Sequence, residues 1–91
     1  MTVNGFDVSQ AGDFMVLGGS FDVGGGNLKP VYARQELPSF HVSWFYFYPS
    51  LNGCNTFNTA ELISQDQMVV LTTNSVLTWL VVNATDGQQL Q

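Results

Sequence analysis

Phe40-His41-Val42-Ser43-Trp44-Phe45-Tyr46-Phe47-Tyr48 is the stretch whose reading decides the fold. Aromatic and β-branched side chains suit a pleated sheet, where their bulk packs against cross-strand neighbours. Period-two alternation places Val42, Trp44, Tyr46 and Tyr48 on one face and His41, Ser43, Phe45 and Phe47 on the other. Both faces therefore carry large rings. Pro49 stops the strand, and Asn52-Gly53 is a turn signal.

Working outward from this stretch, Val31 to Glu36 reads as a second strand between Pro30 and Pro38, and prolines at both ends predict an edge position. Upstream, Phe14-Met15-Val16-Leu17 reads as a short buried strand ended by Gly18-Gly19. Gly24-Gly25-Gly26-Asn27 supplies a flexible turn. The phrases Gly5-Phe6-Asp7-Val8 and Ser20-Phe21-Asp22-Val23 share three residues, too few to establish a repeat.

Downstream, Thr59-Ala60-Glu61-Leu62-Ile63 admits a single helical turn capped by Thr59 or a strand running on from Thr56. Met68 to Thr73, Asn74-Ser75 and Val76 to Asn83 read as a hairpin with a two-residue turn. The polar tail, residues 84–91, is expected to fray or to reach toward a neighbour.

The sum is one domain over residues 1–91, with a Gly-rich N-terminal segment at 1–27. The fold expected is all-β: a small antiparallel sandwich or barrel of six to seven short strands, with at most one helical turn.

Composition narrows the function. Only 10% of the residues are charged, against roughly 25% in an ordinary soluble domain, while 45% are hydrophobic. A net charge of -5 with Lys29 and Arg34 as the only cations argues against nucleic acid, whose phosphates need a row of cations. It argues equally against anionic membranes. The longest apolar stretch, Met68 to Val82, is interrupted by Thr72, Thr73, Asn74 and Ser75, so no membrane span is expected. The start of the chain has neither a basic segment nor an apolar one, so a cytoplasmic site of synthesis without a signal peptide is expected.

Catalytic chemistry finds little support. One His and one Cys cannot make a structural zinc site within one chain. His41 with Cys54 would lack an orienting third group, and His41 is expected to alternate into a sheet face beside Phe45 and Phe47 as a packed or hydrogen-bonded histidine. Asp7, Asp13 and Asp22 stand near glycines, but their spacing matches no EF-hand loop. Gly19 to Gly24 has the spacing of a phosphate loop, yet Gly25-Gly26 occupy the Lys and Ser/Thr positions. Asn83-Ala84-Thr85 is a glycosylation triplet of the kind that chance often produces. No cofactor or metal is expected, and the chain is not expected to be an enzyme.

What remains is an apolar surplus. Strands apolar on both faces exceed what one small core needs, and proteins commonly cover such patches with a partner. The candidate interface residues are Trp44, Tyr46, Tyr48, Trp79, Phe45 and Phe47. The expected function is that of a non-enzymatic structural subunit. Its partners would be copies of itself and a larger coat or tail protein of a virus or bacteriophage, as in capsid decoration, which places it in the virion. The alternative is a small binding module or inhibitor that uses an aromatic sheet face.

Overall fold

The computed structural model describes residues 1–48, 56–64, 66–72 and 78–90. Among these the chain is all β, with seven strands in two antiparallel sheets and no helix. The first sheet is a meander of β1 (Thr2–Val8), β2 (Phe14–Asp22), β3 (Leu28–Glu36) and β4 (Val42–Phe47). The second is β5 (Thr59–Leu62), β6 (Gln67–Thr72) and β7 (Thr78–Asn83).

Alternation explains how the sheets meet. Phe14, Val16, Tyr32 and Trp44 point from the first sheet onto Ala60, Met68, Leu80 and Val82 of the second, with Phe57 and Ala84 closing the core. Phe57, Met68 and Val82 are wholly buried. The layers are also joined by hydrogen bonds. Phe57 N–H donates to the Gly19 carbonyl (3.0 Å), Leu62 N–H to Asp7 Oδ2 (2.9 Å) and Asn4 Nδ2 to the Phe57 carbonyl (3.1 Å).

The structure corrects several expectations. β3 is central and not an edge, and it begins before Pro30. In an antiparallel strand a residue's N–H and C=O face the same neighbour. The Pro30 carbonyl accepts Tyr48 N–H, so the missing donor removes only the reciprocal bond to Tyr48, at the very end of the β3–β4 ladder. Glycines do not end β2, which runs on through Gly18 and Gly19 to Asp22. They let other backbone approach: a Cβ at Gly19 would collide with the Thr2 carbonyl, and one at Gly18 would lie 3.0 Å from the Thr59 carbonyl.

Val42 does not share a face with Trp44. A register shift pairs Arg34 with Trp44 but Gln35 with Val42, which turns Val42 to the opposite side. His41 precedes β4 and is exposed, so it is not packed in the sheet; its carbonyl accepts Glu36 N–H.

The Thr59 segment is a strand. Residues 84–90 of the tail do not fray: Leu90 N–H returns to the Val81 carbonyl, Asn83 N–H donates to the Gln88 carbonyl, and Gly87 turns the chain at a φ of 78°. β6 and β7 pair as expected, but Thr72 lies opposite Thr78, whereas a two-residue turn at Asn74-Ser75 would bring it opposite Leu77. Pro49, Asn52-Gly53, Cys54 and Asn74-Ser75 lie outside the described residues.

Candidate functional site

The two faces of the first sheet differ in what covers them. On the inner face Trp44 is core, and its indole N–H donates to the Ala84 carbonyl at 3.1 Å. Tyr46 packs tilted against Trp44 and donates its hydroxyl to the Asp86 carbonyl at 3.2 Å. Tyr48 is half-buried against Phe57. Tyr32 lies among these rings, and burial, followed by the nearby Tyr46 and Tyr48 hydroxyls, raises its pKa above the ordinary 10.0. These rings are occupied with the second sheet and its last turn. Tyr46 keeps 36% of its surface exposed.

A polar cluster sits at the end of this inner face. Arg34 bridges Glu36 (2.7 Å), donates to the Ala84 carbonyl (3.0 Å) and lies 3.8 Å from the Phe14 ring centroid. Ser43 donates to the same Glu36 carboxylate at 2.5 Å. The Arg34 and Ser43 hydrogen bonds lower the Glu36 pKa from 4.5 to about 2. Every group in this cluster is engaged with another, so its role is to hold the sheets together.

The outer face is different. Cross-strand partners point the same way, so the register defines three rungs. They are Val3–Gly19–Val31–Phe47, Phe6–Leu17–Ala33–Phe45 and Val8–Met15–Gln35–Val42. Phe21, opposite Lys29, extends the first end. Eleven of these twelve rung positions are apolar, with Gln35 the exception.

The middle of this face is low and the margins are high. Leu17 (7% exposed), Val31 (0%) and Ala33 (2%) form a floor shielded by their neighbours. Phe21, Phe45 and Phe47 meet edge to face over one corner, with centroids 5.3 to 5.9 Å apart. On the opposite margin Phe6 stands 63% exposed. No second layer covers this face among the described residues. None of the seven carboxylates lies on it either. Asp7 and Glu36 belong to inner-face contacts, Asp13 and Asp22 to strand ends, and Glu61, Asp66 and Asp86 to the second sheet and its turns.

Of the residues expected at an interface, Phe45 and Phe47 lie on this outer face, while Trp44, Tyr46 and Tyr48 point inward. Trp79, on β7, is 51% exposed and belongs to the other sheet. Sequence reasoning missed Phe6 and Phe21. Their signal was the shared Phe-Asp phrase, which sets both rings on this face.

A cleft of about 530 Å³ lies between the β1–β2 turn and the end of β5. It takes in Asp7 and Asp13, but Asp7 accepts Leu62 N–H and Asp13 Oδ1 accepts the Ser9 hydroxyl. Asp22 is remote from it and accepts Gly24 N–H. The three aspartates are thus not brought together. No helix of the described residues is long and apolar enough to cross a membrane.

Compared with protein-family models, with curated proteins and with solved structures, the chain matches none.

Proposed function

We propose that this protein is a non-enzymatic structural subunit that works by burying apolar sheet surface against neighbouring subunits. The observation that supports the reading is the outer face of β1–β4, which no second layer covers among the described residues. At roughly 200 Å² per Phe and 150 Å² per Val, the exposed parts of Phe6, Phe21, Phe47, Val3, Val8 and Val42 come to about 500 Å². At about 25 cal/mol per Å², some 12 kcal/mol of burial is left unused in the free chain. That is comparable to the whole stability of a small domain.

The low charge of the chain fits the same reading, because surface held in an assembly has no need of solubilising charge. A shell or tail built from many copies, such as a virion, is the setting that suits a small, weakly charged β subunit best. There its partners would be its own copies and a larger coat or tail protein.

Light scattering on the purified chain, from dilute solution to high concentration, tests the proposal. The expected result is a mass that grows with concentration, or binding of an apolar-surface dye that disappears as the mass grows. A monomer at every concentration that binds no such dye would sink it.

A further inference from the structure

We infer that the outer face of β1–β4 is the docking surface for a second copy of the same chain, packed face to face about a two-fold axis. The inference rests on the assembly reading and names its first partner. Area is the first argument. Two such faces bury about 1,000 Å² through the six exposed side chains alone. Met15, Gln35 and the Lys29 stem, each part-exposed, add to an area already near the lower end of what specific interfaces bury, roughly 1,000–1,200 Å².

Charge is the second argument. Each copy carries -5, and like-charged chains repel wherever their carboxylates face one another. This face is free of carboxylates, so two copies can approach here without opposing acids. A basic partner would find nothing on it to pair with.

Shape supplies the orientation. One end of the face is bulky (Phe21, Phe47) and carries Lys29; the other end holds Met15, Gln35 and Val42. An axis running across the strands lays the bulky end of one copy over the other end of its mate. The same arrangement keeps the two Lys29 ammonium groups apart and brings each toward the other copy's Gln35 amide. Sheets stacked in this way sit about 10 Å apart, as in a β-sandwich. An isologous pair of this kind is closed and self-complementary.

Analytical ultracentrifugation of the whole chain and three variants tests this. Phe6→Glu sets a charge on the exposed margin of the face, and circular dichroism checks that it folds. The wild type is expected to form a dimer, or a higher even oligomer. Phe6→Glu is expected to weaken the dimer contact roughly a hundredfold, because it removes the most exposed aromatic ring of the face and buries a carboxylate in its place. Gln35→Glu should tighten it and Gln35→Lys should loosen it. A wild type that oligomerises while Phe6→Glu leaves the contact untouched overturns this face and spares the assembly reading. A wild type that stays monomeric overturns the paired arrangement, and one that also binds no apolar-surface dye overturns the assembly reading with it. If Phe6→Glu fails to fold, Val8→Asp on the same margin reads the same outcome. Equal weakening by the two Gln35 variants overturns the two-fold arrangement.

Discussion

Arg34 and Trp44 stand directly opposite each other on β3 and β4 and donate to one acceptor, the Ala84 carbonyl, at 3.0 and 3.1 Å. A cation and an indole on one sheet thereby fix the turn that follows β7. The shared acceptor adds to the Asn83–Gln88 and Val81–Leu90 bonds that hold the polar C-terminal residues on a defined path.

The two donors are unequal. Trp44→Phe keeps the ring packing and leaves Ala84 bonded to Arg34, so it should cost about 1–2 kcal/mol. Arg34→Met breaks the Ala84 bond, the Glu36 ion pair and the contact with Phe14 together, and should cost about 2–3 kcal/mol. Urea unfolding of both variants checks the order.

Glu36 sets an acid limit. Its folded pKa of about 2 lies below the ordinary 4.5, so its ion pair and hydrogen bonds contribute in full above pH 4.5 and are lost as pH falls toward 2. Glu36→Gln should therefore be less stable than wild type at neutral pH, and the two should converge near pH 2. Urea midpoints measured at several pH values report this, and one third exposure of the side chain keeps the difference modest.

Gly5 lies where β5 crosses β1. A Cβ there would sit 2.6 Å from Thr59 Cα, a backbone atom with no room to yield. Gly5→Ala should cost about 2–3 kcal/mol. Gly26→Ala meets nothing within 4 Å and suffers only from its φ of 79°, so it should cost about 1 kcal/mol. Thermal melts of the pair separate crowding from backbone conformation.

Phe57 is the deepest ring, 0% exposed and edge-on to Tyr32 at 6.0 Å. Phe57→Ala should cost about 3–5 kcal/mol by leaving a cavity between the sheets. A drop of that size in chemical denaturation, or failure to fold, is the expected result.

How much of this was legible in the sequence depends on where the signal was local. β4 and the β6–β7 pair show in runs of aromatic and β-branched residues. Their alternation correctly set Trp44 on the face opposite Phe45 and Phe47, without saying which face turned inward. Pro30 misled, because its edge signal is read from chemistry alone while its harmlessness depends on β4 ending beside it. Gly18 and Gly19 misled for a similar reason: close approach to Thr59 and Thr2 is a tertiary fact with no local mark. Val42 changed faces through a register shift that period-two counting has no means to foresee. The outer face was half legible. Its Phe45–Phe47 wall lies within one run, whereas Phe6 and Phe21 are isolated among glycines and polar residues.

All strand pairings between named strands join neighbours in sequence, and each sheet is complete within its own stretch of chain. One covalent link joins β4, which ends at Phe47, to β5, which begins at Thr59. Cleaving it would leave two pieces, one holding each sheet, that meet through Phe57, Trp44 and the Asp7–Leu62 bond. Expressed separately and mixed, they should recombine into the native sandwich, which makes this chain a natural starting point for fragment complementation.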